Sequence, residues 1–383
     1  MKSLTRFSIL PASWLFLMIL SQNGLSAAMP QSTQDMLKKM NLAPSLLSDI
    51  DRELQVPKDW PEKAKKEGKL RIISTWNPDE AKVLLAPFQE RYPFIVIDHA
   101  RGGTMEERDV KTLAAFKSGR ILADVMTSVG GTFYMYRQLK AVEDLSSIPA
   151  VKRLPESAKA PDGLWVGTHT TYWCMGYNTN LVKKEELPKR WEDLLTDRQW
   201  RDGNLAIGNR PYLVGLPRWM VNGEESAKEF ITKLFMEVKP QLRKEGMNAL
   251  PELLAAGEFH AVIPVQESRL YQMSSKGAPV GFTCPEPVPV KVGDIIIMKG
   301  SPNLHAARLF INWILTKEGQ IAQYVAGHRP PVHKELMRPE FIPFADQILG
   351  KKSHSWDPEL ENEVMPKLVE FWDGMWMRAG RAK

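Results

Sequence analysis

Only two cysteines, Cys174 and Cys284, occur in 383 residues, which excludes a disulfide-dense scaffold. Beyond residue 28 no apolar run approaches the roughly 20 residues that span a bilayer, which excludes a multispan membrane protein. No fixed-period repeat, low-complexity tract or basic block is present, so solenoids and nucleic-acid binding drop out. The motifs G-x-S-x-G, H-E-x-x-H and S-x-x-K are missing, and the seven histidines, spread from His99 to His354, show no H-x₃₋₅-H spacing joined to a cysteine pair. A triad assembled from distant positions stays open, which leaves an exported hydrolase as the alternative of another class.

What is present is ample core: 43% of residues are hydrophobic and 25% charged, and the length favours two α/β lobes over one unit. The first 28 residues read as a signal peptide. Lys2 and Arg6 precede an apolar stretch from Phe7 to Leu20, and Ser26 and Ala28 supply the small residues of a cleavage site. Loss of these two charges takes the formal net charge from +6 to +4, a mild positive field that suits anionic solutes. An exported chain meets oxidising conditions, so Cys174 and Cys284 are expected either to pair or to lie buried as thiols.

Residues 29–68 are polar and helix-prone and read as an N-terminal extension that packs on the surface. From Lys69 short β-rich runs alternate with amphipathic segments, the pattern of parallel βαβ units. Strands are expected at 70–74, 94–98 and 123–126, two extended runs at 165–167 and 172–177, then strands at 204–208, 260–265 and 294–298. A proline-rich extended run occupies 280–290. Asn77, Pro78 and Glu80 form a helix start with a capping box, and Pro87 should kink or shorten that helix. Thr104 and Glu107 suggest a second capping box. Further helices are expected near 224–237, 248–256, 302–315, 317–326 and from about 357.

Several segments in this order resemble a family. They include Lys69-Leu70-Arg71-Ile72-Ile73-Ser74-Thr75, Phe88-Gln89-Glu90-Arg91-Tyr92-Pro93, Gly163-Leu164-Trp165-Val166-Gly167, Gly176-Tyr177-Asn178-Thr179-Asn180-Leu181 and Ala306-Ala307-Arg308-Leu309-Phe310-Ile311-Asn312-Trp313. Residues 69–335 resemble the type 2 periplasmic solute-binding proteins of ABC importers, in particular the ferric-iron-binding branch of extracellular solute-binding family 1. The resemblance implies an α/β fold of two lobes, each a mostly parallel sheet flanked by helices, joined by two crossing strands. It also implies a solute in the cleft and delivery to an inner-membrane permease. Lobe 1 is then expected at 69–170 and 288–383, lobe 2 at 171–287, and hinges near Thr170 to Tyr172 and Thr283 to Pro287. The iron-binding branch uses adjacent tyrosines, and this chain has no Tyr-Tyr pair, so iron would need Tyr134, Tyr136, Tyr172, Tyr212 or Tyr271.

In open α/β sheets ligands sit beyond the carboxyl ends of strands, which selects Ser74, Thr75 and Trp76; Arg101 and Gly102; Thr127, Ser128 and Gly130; Asn209, Arg210 and Tyr212; and Glu267 and Arg269. Thr127-Ser128-Val129-Gly130-Gly131 could cradle carboxylate or phosphate oxygens on free amides. Arg101 and Arg210, one per lobe, could clamp the same anion, and Trp76 could stack on the solute. Asp79 and Glu80 argue against an anion near Ser74. His169 and Trp173 in the crossover, and His328 and Arg329 in a later loop, are weaker candidates.

The reading is a monomeric periplasmic receptor, not an enzyme and without a cofactor, that captures a small polar, anionic organic solute, a carboxylate or phosphorylated compound, for an ABC permease. Ferric-iron binding and a sensor role are the alternatives within the same fold.

Overall fold

The computed structural model describes residues 29–102, 106–129, 132–246, 249–355 and 358–381. The expected signal peptide, Thr104 and Gly130 lie outside the described residues. Three strands, β1 (Lys69–Ser74), β2 (Val96–Arg101) and β3 (Val125–Thr127), pair in parallel with β1 central, Ser74 opposite Arg101 and Ile73 opposite Met126. The second parallel set has β5 (Leu205–Gly208) between β6 (Gln241–Arg243) and β7 (Ala261–Gln266). These sets are the α/β lobes that the alternation of β-rich and amphipathic segments implied.

Two long antiparallel strands join them: β4 (Val166–Asn178) and β9 (Val288–Ile297). β4 pairs with β9 up to Tyr172 opposite Val290, then changes partner and pairs with β7 from Trp173 opposite Gln266. β9 runs on to pair antiparallel with β3. The two extended runs expected at 165–177 are therefore one strand. Thr168, Thr170 and Thr171 interrupt the apolar pattern; Thr170 and Thr171 nevertheless stay in the ladder, opposite Val292 and Lys291, while Thr168 sits where the register shifts. The run at 280–290 divides into β8 (Val280–Thr283), paired with β4, and the start of β9, with Pro285 and Pro287 between and Pro289 within β9. Cys174 and Cys284 form a disulfide with their Cα atoms 5.1 Å apart, fastening the end of β8 to β4.

The helix Pro78–Arg91 starts at Asn77, whose N–H donates to Glu80 Oε2 at 3.1 Å. It runs four residues past Pro87 instead of stopping there. The carbonyl that Pro87 cannot serve is that of Val83, on the exposed side, where water can take it. The extension at 29–68, expected to pack on the surface, instead completes the first-lobe core, because its apolar residues Met36, Leu37 and Trp60 pack with Leu84, Phe88, Phe310 and Trp313. Buried Glu318 secures it, accepting from Thr33 Oγ1 at 2.7 Å, Arg91 Nη2 at 2.9 Å and Trp313 Nε1 at 2.8 Å.

The C-terminal segment departs from the expected assignment of 288–383 to lobe 1. β10 (Ser353–Ser355) pairs with β9 at Val288 to Val290, and the helix Pro358–Arg381 then packs on the second lobe. Val364, Leu368, Trp372 and Met375 recur at helical spacing and fill the face left by Trp200, Trp219 and Phe235. The ring centroid of Trp372 lies 5.0 Å from that of Phe235. Among the described residues no helix is long and apolar enough to cross a membrane.

Candidate functional site

The parallel register brings the carboxyl ends of β1, β2 and β3 to one edge of the first lobe. Ser74 is spent there on local structure: its Oγ accepts from Trp76 N at 3.0 Å and bonds His99 Nε2 at 2.8 Å. Trp76 turns inward, 2% exposed, and stacks on His99 with centroids 5.9 Å apart. The expectation that it stacks on solute is therefore corrected, because the Ser74 turn drives the indole into the core. Burial lowers the His99 pKa, favouring the neutral ring.

Thr75 Oγ1 and Ser128 Oγ, from the ends of β1 and β3, lie 3.4 Å apart. Ser128 has φ +60°, a conformation that L-residues adopt at a cost. Two of the amides expected to cradle an anion are in use: Ser128 N donates to Asp294 O at 2.8 Å and Val129 N to Asp294 Oδ2 at 2.9 Å. What this edge presents is a pair of hydroxyls; Thr127 Oγ1, on the last residue of β3, is buried and unpartnered among the described residues. Gly102 is required by close approach, since a Cβ there would sit 2.7 Å from Arg108 Cβ.

Arg108 was not among the expected site residues, because nothing distinguishes it within the charged run Glu106-Glu107-Arg108-Asp109. It lies in a single π turn, donates to Gly102 O at 3.2 Å and pairs with Asp109 at 2.9 Å. Asp109 also accepts from Tyr136 OH at 2.9 Å, and burial raises its pKa. Arg101, at the end of β2, is exposed.

In the second lobe Asn209 is structural: its Oδ1 accepts from Trp372 Nε1 at 2.8 Å. Arg210 begins the helix Pro211–Asn222 and donates from Nη1 to Asn209 O at 2.7 Å. Tyr212 lies under Lys291 Nζ, 5.6 Å from the ring centroid. Arg269 pairs with Glu252 at 2.9 Å within its own lobe, so its expected place in the cleft is corrected. Glu267, at the end of β7, is fully buried and accepts from Tyr172 N at 2.8 Å on the crossing strand. Burial pushes its carboxyl up to about 8, opposed by backbone donors and the Arg329 charge.

The loop at 328–333 meets both lobes. Thr170 N donates to Pro330 O at 2.8 Å, Gln272 Nε2 to Gly327 O at 3.3 Å, and Arg329 Nη2 to Glu80 Oε2 at 3.2 Å. Glu80 is thus compensated by Arg329, which corrects the expectation that it repels an anion. Burial and the Arg329 charge push His169 down to about 3. The ring of His328 sits 5.1 Å from Tyr271 and 5.5 Å from Tyr324. That this loop returns to the seam is a tertiary fact with no local signal, which is why Arg329 ranked low and Gln272 was missed.

Glu53, His333 and Glu335 place ligand atoms within 4.8 Å of one another. Their cation is the protein's own, since the Lys317 ammonium pairs with Glu335 at 3.0 Å and with Asp49.

Two α/β lobes joined by paired crossing strands, with polar groups of both converging at the seam, define a two-lobe binding protein. The chain belongs to the bacterial extracellular solute-binding protein family, whose profile matches residues 121–342. Iron-bound HitA from Pseudomonas aeruginosa is similar in fold: 17% identity, TM-score 0.66, covering 80% of this chain and 99% of that one. An ABC transporter substrate-binding protein from Bradyrhizobium japonicum USDA 110 gives 17%, 0.67, 80% and 99%. Trichodesmium FutA, in complex with iron and citrate, gives 18%, 0.65, 80% and 99%. A Haemophilus influenzae protein described as uncharacterized is 30% identical over 185 residues, 46% of this chain and 52% of its own length. The match thus spans about half of that relative.

Proposed function

We propose that this chain is the periplasmic solute-capturing component of an ABC importer and that its lobes close on a small organic anion, a carboxylate or a phosphorylated compound. The observation that carries the reading is the Thr75–Ser128 hydroxyl pair at the joint edge of β1 and β3. Two neutral donors there suit an anionic oxygen, and the nearby carboxylates are neutralised or tied down: Glu80 by Arg329, Asp109 by Arg108, Asp294 by the Val129 amide. Arg101 and Arg210 complete the clamp from the two lobes. Closure pivots where β4 changes partner, near Tyr172. A ligand touching both lobes shifts that equilibrium by its differential affinity. The chain acts by binding and release, without catalysis, as a monomer.

A second reading is favoured by one cluster. Tyr271 and Tyr324 flank His328, a donor set that a hard ferric ion accepts, and several proteins of similar fold are described as iron-bound or ferric-iron-binding. Against it, burial raises the Tyr324 pKa and so opposes the phenolate that iron requires. A thermal-shift screen of the chain from Met29 with organic acids, phosphorylated sugars, amino acids, polyamines and ferric citrate separates the two. Saturating ligand at a hundredfold excess over Kd stabilises the folded form by about 2.7 kcal/mol. A shift with an anion class supports the first reading; a shift with iron alone and a tyrosinate colour supports the second.

A further inference from the structure

The seam between the lobes holds polar atoms that the fold leaves unused. Glu267 is fully buried, and while its Oε2 takes Tyr172 N, its Oε1 has no partner among the described residues. Arg329 binds Glu80 through Nη2, while its Nη1 is buried and unpartnered, as is Nδ1 of the adjacent His328. These groups form one neighbourhood. Arg329 acts electrostatically on Glu267, His169 and His328, and the Gln272–Gly327 hydrogen bond ties the helix that Glu267 begins to the loop that carries Arg329. A buried polar atom without a partner costs about 1–3 kcal/mol, a cost that a bound group can relieve.

The chemistry of the set selects the group. A guanidinium N–H needs an acceptor, and a carboxyl oxygen without a partner needs a hydroxyl that can donate or accept. An ammonium would sit against Arg329, and a methylene would satisfy neither atom.

We propose that Glu267 is a specificity-determining residue of the solute site: with Arg329 Nη1 it binds a hydroxyl of the solute, so the ligand is a hydroxylated organic anion. This rests on the anionic reading above and narrows it. The hydroxyl bonds Glu267 Oε1 and accepts from Arg329 Nη1, while the anionic end meets Thr75 and Ser128. Discrimination follows because an analogue lacking the hydroxyl leaves both buried atoms unpaired.

The test is isothermal titration of the chain from Met29 with two matched pairs, glycerol 3-phosphate against propyl phosphate and malate against succinate, and with inorganic phosphate as the bare ion. In at least one pair the hydroxylated member should bind at least tenfold tighter. Glu267→Gln should cut that ratio below threefold while leaving affinity for the unhydroxylated member within twofold. Arg329→Lys, which keeps the charge and removes Nη1, should cut it likewise and decides the matter if Glu267→Gln fails to fold. Equal affinity in both pairs, or a ratio that survives these substitutions, overturns the inference and leaves the anionic reading standing. If none of these anions, nor iron-free citrate, nor phosphate binds and ferric citrate does, the anionic reading fails and the inference with it.

Discussion

The ring of His169 on β4 lies directly over the α-carbon of Gly293 on β9, so that a Cβ at Gly293 would collide with the imidazole. The two crossing strands are thus packed through a glycine at the point where the chain passes between lobes. Gly293→Ala should destabilise the protein by about 1–3 kcal/mol, as overpacking does, read as a lowered Tm. Adding His169→Ala to Gly293→Ala should recover part of the loss. An unchanged Tm in the single variant would show that the strands do not depend on this contact.

Cys174 and Cys284 close a loop of 110 residues. Replacing both by serine, or reducing the bond, should lower stability by about 2–4 kcal/mol. Solute affinity should stay within about twofold, since both residues are buried in the second-lobe core. Calorimetry with and without reductant checks the first part, and titration of the double variant the second.

Glu267 gives stability a pH dependence of known sign. Its folded pKa is raised from 4.5 to about 8, so the folded protein holds a proton that the unfolded chain has released. Its contribution is complete below about 4.5 and is lost as pH rises through 8. Tm should fall across that interval, and Glu267→Gln should flatten the upper part of the curve. His169, depressed from 6.5 to about 3, acts in the opposite sense: its contribution is complete above 6.5 and is lost as pH falls towards 3.

Ser128→Ala and Thr75→Val each remove one hydroxyl from the strand-end pair. Each should weaken anion binding by about tenfold, the value of roughly 1.4 kcal/mol for a hydrogen bond to a charged group, with Tm unchanged. A loss of Tm with affinity intact would make the pair structural.

Trp372→Ala should cost about 3–5 kcal/mol, the usual loss for a buried aromatic, because the C-terminal helix completes the second-lobe core and holds Asn209. Unfolding followed by a second-lobe tryptophan should register it.

The alternation of strands and helices was legible because a buried parallel strand such as β5, with Leu205, Ala206 and Ile207, is continuously apolar. The helix cap at Asn77 was legible because a cap is local. Two features escaped. β4 was divided because a strand crossing between lobes keeps its hydrogen bonds without keeping an apolar face. The C-terminal helix was assigned to the wrong lobe because its apolar stripe names no partner. The site follows the same division. Thr75 and Ser128 lie at the strand ends where the sequence pattern put them, a matter of local register, whereas the inward turn of Trp76 onto His99, the Asn209–Trp372 hydrogen bond and the Arg269–Glu252 pair depend on residues distant in sequence. Arg329 reaches Glu80 across 249 positions.

The central claim is that the two lobes close on an organic anion. It is tested most directly by a distance measurement between spin labels at exposed Lys117 on the first lobe and Lys276 on the second. The account predicts a shift to one shorter, narrower distance at saturating anion, and with ferric citrate no change beyond that given by iron-free citrate. Closure with iron alone, or an unchanged distance with an anion that binds, would contradict it.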